Sequence, residues 1–143
     1  MKVADILAAK GRNVSTVRPN ERIETLTHRL RLERIGALIV TSNGVDVEGI
    51  ISERDIVYGL AVHGRDALDM TASALMNLSV PTCRPEDTIA SVMAKLTAKR
   101  VRHLAVIEDG RLVGIVSIGD VIKRRLDEVE LEANVLRDYA IAR

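Results

Sequence analysis

Aromatic side chains are nearly missing from this sequence of 143 residues, which has no Trp, no Phe and two tyrosines, Tyr58 and Tyr139. The hydrophobic core must therefore be aliphatic. Proteins that hold single-stranded nucleic acid stack its bases on aromatic side chains, which argues against this mode of binding. An excess of one charge is missing too, since the formal net charge is +1. Without a broad basic field, the chain is not expected to bind duplex nucleic acid either.

Cysteine is almost as rare. Cys83 stands alone, which excludes an internal disulfide and a zinc site of several cysteines and is typical of a reducing cytosol. The histidines, His28, His63 and His103, are scattered and do not suggest a metal site. No apolar run approaches roughly 18 residues, and the first residues lack the apolar core of a signal peptide. We therefore expect a soluble cytoplasmic protein that does not enter a membrane and holds no metal.

Motifs of catalysis are missing as well. There is no Walker-type loop and no dinucleotide-binding glycine fingerprint. The sequence nominates neither a nucleophile nor an orienting partner for His103, and Cys83 is interpreted as a small apolar residue rather than a redox thiol. We predict that the protein is not an enzyme. What the chain does have is 47% hydrophobic and 29% charged residues, a composition typical of a globular protein that buries a core.

One motif occurs twice. Gly114–Asp120 reads as a buried strand that ends at Ser117 and starts a helix, and Gly49–Asp55 is a near-copy with Ser52. The serine is the predicted N-cap, and the aspartate three residues later is typical of a capping box. The start of a helix also attracts anions, because its first N–H groups are unpaired. An aspartate fixed there can accept hydrogen bonds from the two hydroxyls of a ribose.

The duplication extends over most of the chain. The first copy predicts a strand at 14–18, a helix through Ile23 and Leu30, a strand at 37–40, a tight Asn43-Gly44 hairpin turn, a strand at 47–51 and a helix from Ser52. The second copy predicts the same series, with its tight turn at Asp109-Gly110. A spacing of 66 residues separates Pro19 from Pro85 and Val40 from Val106. Unrelated segments would not keep this register, so the chain is an internal repeat.

The last helix is predicted to outlast the second copy. Its apolar residues share one stripe beyond Asp120: Ile122, Leu126, Val129, Ala133 and Leu136. A helix with an apolar face must pack against something. The sequence leaves open whether that is its own module or a second subunit.

A duplicated βαββα unit that ends in Gly-apolar-apolar-Ser-x-x-Asp closely resembles the cystathionine-β-synthase (CBS) domain family in its tandem, stand-alone bacterial form. The other marks are Thr-Val-Arg-Pro at 16–19, Thr-Cys-Arg-Pro at 82–85 and Arg-His-Leu-Ala-Val at 102–106. The resemblance implies an α+β fold in which two pseudo-symmetric repeats pack sheet to sheet (a Bateman module), followed by a C-terminal helix. The implied units are repeat 1 at 1–67, repeat 2 at 68–127 and a helical extension at 128–143.

The resemblance also implies what the repeats bind. In the family, two clefts hold AMP, ADP or ATP, and sometimes NAD(H) or S-adenosylmethionine, and two pairs commonly form a homodimer. Asp55 and Asp120 would hold ribose hydroxyls, with Ser52 and Ser117 near the phosphates. Contact with the phosphates is further expected of Arg54, Arg102 and His103, whereas Lys99 and Arg100 are expected in solvent. The adenine pockets would be lined by Thr16, Val17, Thr82 and Cys83.

The two copies differ where phosphate would bind. Gly36-Ala37 stands in the first copy where the second has Arg102-His103, and Gly119 replaces Arg54. We therefore expect one better anion site and one weaker or differently selective site. The favoured function is a regulatory sensor that passes its signal to an unidentified protein effector. A ligand-free structural module that acts through dimerisation and an enzyme that acts on nucleotides are the alternatives.

Overall fold

The computed structural model describes residues 1–142, which form two sheets of three strands and six α-helices. In chain order the elements are α1 (Val3–Lys10), β1 (Thr16–Val17), α2 (Ile23–Glu33), β2 (Ala37–Val40), β3 (Gly49–Ser52), α3 (Glu53–His63), a 3-10 helix (Gly64–Asp69), α4 (Ala72–Leu75), β4 (Thr82–Cys83), α5 (Ile89–Lys99), β5 (His103–Glu108), β6 (Arg111–Ser117) and α6 (Ile118–Ile141).

The sheets repeat one topology. In each, the short first strand runs parallel to the second, and the second is antiparallel to the third. Alternate side chains of β2 point to opposite faces of the sheet. All four of its residues are buried, because both faces are covered. Leu38 and Val40 face the helices of the first repeat, while Ala37 and Ile39 face the other sheet. A strand buried on both faces has to be apolar throughout, as the sequence of β2 is.

The two sheets pack face to face. Their contact is a separate apolar cluster centred on Ala37, Ile39, Ile50 and Ala105. Ile115 and other half-buried aliphatic residues from both repeats complete it. The α+β fold and the sheet-to-sheet pairing of the repeats are thus confirmed.

Each repeat receives its first helix from the other. Val3, Ile6 and Leu7 of α1 lie in the core of the second repeat, and Ala72 of α4 lies in the core of the first. The backbone exchanges partners in the same way. Val3 N donates to the carbonyl oxygen of Asp87 at 2.9 Å, and Ala72 N donates to that of Glu21 at 2.8 Å. The unit boundaries 1–67, 68–127 and 128–143 stay predictions about the sequence repeat, while the packed cores cross them.

The hairpins differ from each other. Asp109 and Gly110 have φ of 52° and 75° and form the expected two-residue turn. The tight turn expected at Asn43-Gly44 is wrong, because β2 and β3 are joined by a wider loop at 41–48. The Asn43 side-chain oxygen accepts from the backbone N–H groups of Val45 and Asp46, both at 2.9 Å. This side-chain hydrogen bonding closes a local turn and makes hairpin pairing there unnecessary.

The last helix, α6, has 24 residues and continues well past the second repeat, as predicted. Val121 is its buried anchor in the second core, and every described residue from Val129 onward is exposed. None of the helices in the described part of the chain is long and apolar enough to cross a membrane.

Candidate functional site

The Ser-x-x-Asp motif of the first repeat forms a complete capping box at the start of α3. Ser52 N donates to Asp55 Oδ2 at 2.8 Å, and Asp55 N donates back to Ser52 Oγ at 3.3 Å. The serine hydroxyl also donates to Asp55 Oδ2 at 2.9 Å. Two free N–H groups are thereby satisfied, and the carboxylate is held in one orientation. Among the described residues, Ser52 supplies the hydrogen bonds that Asp55 receives.

The second motif has the same box and an added cation. Ser117 N donates to Asp120 Oδ2 at 2.9 Å, and Asp120 N donates to Ser117 Oγ at 3.1 Å. Lys10 Nζ also reaches Asp120 Oδ2, at 2.6 Å. Burial opposes the charge of Asp120, but the hydrogen bonds from Lys10 and Ser117 outweigh it and hold the pKa of Asp120 below its ordinary value. Asp120 is therefore an ionised carboxylate that already has a cationic partner.

The Asp55 cleft is a cavity of about 360 Å³ that both repeats line. Ser52, Arg54 and Asp55 come from the first repeat, and Arg102 and His103 come from the second. Four guanidinium or ammonium side chains line this cleft: Arg54, Lys99, Arg100 and Arg102. The structure thus brings together five of the residues expected at a binding site. Lys99 and Arg100, expected in solvent, also line the cavity.

The Asp120 cleft is similar in size, about 400 Å³, and poorer in positive charge. Ser117, Asp120 and His103 line it, together with Lys10 and Arg34. Neither Lys10 nor Arg34 was expected here from the sequence. The signal for Arg34 was present, because it stands 66 residues before Arg100, and both end a helix in the left-handed region with φ of 54° and 52°. Lys10 gave no such signal, because α1 belongs to the other repeat in sequence.

His103 and Gly36 form the wall between the two clefts and line both of them. Burial, with a further contribution from Lys10, lowers the pKa of His103, so its imidazole is neutral near pH 7. A Cβ on Gly36 would lie 2.8 Å from a carboxylate oxygen of Glu53 and 3.3 Å from the His103 ring. The glycine therefore leaves room for the histidine ring.

The four residues expected to line adenine pockets lie outside both clefts. Val17 and Cys83 are 2% and 3% exposed and belong to the cores of their repeats. Burial raises the pKa of Cys83 to about 12, so it is an unreactive thiol. The backbone oxygen of Thr16 accepts from Arg29 and that of Thr82 from Lys95, both at 2.7 Å.

The short first strands explain this placement. Ser15 lines the Asp120 cleft and Pro81 lines the Asp55 cleft. The chain enters its own core two residues later, at Val17 and Cys83. The contact of these strands with an adenine ring stays a prediction.

Comparison with known proteins agrees with this geometry. The family model "CBS domain" matches residues 3–62 and 72–127. The chain belongs to the CBS domain family and carries two copies of the domain. Its fold is that of a CBS pair, or Bateman module, with a C-terminal helix.

Several known proteins are similar to this chain over most of its length. A mitochondrial CBS domain-containing protein of Arabidopsis thaliana is 28% identical over 145 residues, which cover 96% of this chain and 70% of the relative. Hypoxic response protein 1 of Mycobacterium tuberculosis is 28% identical over 110 residues, which cover 77% of each chain. The crystal structure of a CBS-domain containing protein from Agrobacterium tumefaciens superposes with a TM-score of 0.84 at 41% identity. It covers 87% of this chain and 99% of that one.

Proposed function

We propose that this CBS pair is a regulatory module that binds an adenine nucleotide in the Asp55 cleft and changes the activity of a partner protein in the cytoplasm. The observation that carries the proposal is the composition of this cleft. A carboxylate without a cationic partner among the described residues lies in the same cavity as Arg54, Lys99, Arg100 and Arg102. The hydroxyls of a ribose need the carboxylate as an acceptor, and a phosphate chain needs the cationic side chains.

The ribose end rests on Asp55. One of its oxygens is held by Ser52, so the second is fixed in place and available to a donor. The remaining oxygen, Oδ1, has two lone pairs, which can accept from both neighbouring hydroxyls of a ribose 2′,3′-diol. Because the capping box orients the carboxylate before the ligand arrives, little conformational entropy is lost on binding.

The phosphate end rests on the cations and on the start of α3. Arginine binds phosphate in a bidentate manner, and helix N-termini attract anions. Arg54 belongs to the first turn of α3, whereas Arg100 and Arg102 come from the other repeat. A nucleotide would therefore join the two repeats through its phosphates. Its binding changes the module only through a difference in affinity between two arrangements of the repeats.

The Asp120 cleft is proposed as the weaker of the two. Lys10 already pairs with Asp120 at 2.6 Å, so a ribose would have to displace this lysine. The cations that remain are Lys10 itself and Arg34. This difference supports the expectation that the two clefts do not bind alike.

AMP, ADP and ATP are the first ligands to test, followed by NAD(H) and S-adenosylmethionine. The CBS pair of protein MJ0100 was crystallised in complex with 5′-methylthioadenosine and S-adenosylmethionine, at 24% identity and a TM-score of 0.79. That similarity is evidence for the fold and does not identify the ligand of this chain. It motivates the inclusion of S-adenosylmethionine in the panel.

The alternative functions rest on different features. An interaction module without ligand would act through dimerisation, and the exposed apolar side chains of α3 and α6 favour a homodimer in either case. For an enzyme, the neutral His103 would need a nucleophile. None of the residues in the Asp55 cleft is a cysteine, and its serines Ser52 and Ser79 are not hydrogen-bonded to the imidazole. We therefore propose a regulatory module rather than a catalyst.

The test is thermal unfolding of the purified protein with each adenine compound, with GMP as a control ligand. Asp55→Asn keeps the size of the side chain and removes its charge, and Asp120→Asn is the matched variant of the other cleft. A ligand at a hundred times its Kd adds about 2.7 kcal/mol and raises the midpoint by roughly 5–10 °C. We expect this rise with an adenine nucleotide in the wild type and in Asp120→Asn, and its loss in Asp55→Asn.

The same experiment separates the alternatives. No rise with any adenine compound, in protein shown to carry no co-purified ligand, contradicts the sensor and leaves the interaction module. A rise that is lost only in Asp120→Asn moves the site to the other cleft. Chromatography of the incubated nucleotide tests for turnover, and a new product would identify an enzyme.

A further inference from the structure

The exposed end of α6 carries several apolar side chains that the module leaves uncovered. Leu126 is 64% exposed, Val129 47% and Leu136 69%. Just before this exposed stretch, Glu128 forms an ion pair with the amino group of Met1, at 3.0 Å. A helical segment without tertiary packing is marginal in water. The stretch from Val129 onward therefore needs a partner surface if it is to stay helical.

The spacing of the apolar residues indicates another helix as that partner. Six of them recur at intervals of four and three along α6, while Leu131, Val135 and Ile141 lie off this stripe. The six are Ile122, Leu126, Val129, Ala133, Leu136 and Ala140. This is the heptad repeat of a narrow coiled-coil seam, with Leu126, Ala133 and Ala140 at a and Ile122, Val129 and Leu136 at d. A helix that packs on a globular core has a wider apolar face.

The charges beside the seam indicate the identity and direction of the partner. Arg125 and Glu132 occupy g positions, and Glu130 and Arg137 occupy e positions. In a parallel, in-register pair, each g position meets the e position five residues later on the other helix. Arg125 then meets the partner's Glu130, and Glu132 meets the partner's Arg137. All of these pairs are of opposite sign.

An antiparallel pair of these helices would bring like charges together. There, e positions meet e positions and g positions meet g positions across the seam. Centred on the middle heptad, Glu130 would face the partner's Glu130, and Glu132 would face the partner's Glu132. Shifting by one heptad relieves some of this repulsion but leaves part of the apolar stripe uncovered.

We propose that residues 122–142 of two copies of this chain form a parallel, in-register, two-stranded coiled coil. The helices start from the second repeat of each copy, so the coiled coil holds the two modules side by side at one end. None of the six seam residues lines either nucleotide cleft. The coiled coil makes the C-terminal helix a dimerisation element rather than a cover for its own module.

Single-cysteine variants test the direction of the helices, because the native Cys83 is buried and does not compete. Val129→Cys and Leu136→Cys each place a thiol on the seam, and Asp138→Cys, at an outer f position, is the matched control. Under mild oxidation, the parallel pair predicts a disulfide-linked dimer for both seam variants and none for the control. An antiparallel pair links at most one of the two seam positions, and a monomer links neither; either result overturns the proposal.

Charge reversal tests the pairing independently. Glu132→Arg and Arg137→Glu each put like charges across the interface, and the double variant restores opposite charges in the parallel arrangement. We expect each single variant to raise the dimer Kd, measured by sedimentation equilibrium, by roughly tenfold, and the double variant to recover the wild-type value. Single variants that leave the Kd unchanged, or a double variant that is no better than either, would overturn the proposed register.

Discussion

The pairing of Lys10 with Asp120 is the main difference between the two clefts at the scale of single residues. Its partners are 34% and 26% exposed, and the other carboxylate, Asp55, has no such cation among the described residues. An ion pair of this exposure is modest in energy. Its stability contribution has a definite dependence on pH, because the folded pKa of Asp120 lies below its ordinary value of 3.8.

Lys10→Met should lower the free energy of unfolding by about 1 kcal/mol or less at pH 8, where His103 is neutral in both proteins. A lowered folded pKa means that the stabilisation is complete above the ordinary pKa and is lost as the pH falls through the folded pKa. The difference between variant and wild type should therefore shrink as the pH falls below the ordinary pKa of 3.8. Urea unfolding at pH 8 and in acid measures it, with Lys10→Arg as the charge-preserving control. A difference that persists undiminished in acid would assign the effect to packing of the lysine stem.

At the scale of elements, local signals were sufficient for some features and not for others. The starts of α3 and α6 were predicted correctly, because a capping box is a contact within four residues and is written in the sequence itself. The loop at 41–48 was mispredicted, because the hydrogen bonds of the Asn43 side chain determine its shape. The role of Thr16, Val17, Thr82 and Cys83 at an adenine ring stays a prediction, because a periodic pattern does not say where a two-residue strand enters the core.

The exchanged helix α1 could not have been assigned from its sequence. Val3, Ile6 and Leu7 define an apolar face, but such a face does not specify which core it joins. That information is in contacts more than 70 residues away in sequence, such as the one between Leu7 and Gly114. Lys10, carried at the end of the same helix, was missed at the Asp120 cleft for this reason.

Leu7→Ala tests the exchange. Leu7 is 1% exposed within the core of the second repeat, so truncation should lower the free energy of unfolding by about 2–5 kcal/mol. Leu32→Ala, at a side chain that is 75% exposed, should change it by less than about 0.5 kcal/mol. Urea denaturation gives both values. If Leu7→Ala were as mild as Leu32→Ala, α1 would not be part of that core in solution.

At the scale of the whole molecule, the pseudo-symmetry of the fold is broken by charge. Arg34 and Arg100 end equivalent helices with nearly the same backbone conformation, yet Arg100 faces a cleft with three further Lys or Arg side chains and Arg34 faces one with a single ammonium group. The same fold therefore presents two clefts of unequal attraction for anions. This asymmetry agrees with the expectation drawn from the differences between the two copies of the motif.

Arg100→Met and Arg34→Met form a matched pair that measures this asymmetry. If a nucleotide binds in the Asp55 cleft, Arg100→Met should weaken it by roughly tenfold, since a charge-assisted hydrogen bond contributes about 1.5–3 kcal/mol. Arg34→Met should leave this affinity within about twofold. Calorimetric titration at low and moderate salt measures both, and the loss should be larger at low salt. Equal losses in the two variants would mean that the clefts bind equally.

Because the repeats exchange their first helices, the smallest part of the chain with a complete core contains both repeats. A polypeptide with one repeat alone would lack the helix that completes its core. Its own first helix would have no core to pack against. In the complete chain, the second core is filled by Val3, Ile6 and Leu7, and the first is filled by Ala72. We therefore expect a gene cut between the repeats to encode two fragments that fold only when they are combined. The same geometry offers a route by which such a pair could arise, through fusion of two identical single-repeat chains that had already lent each other their first helix.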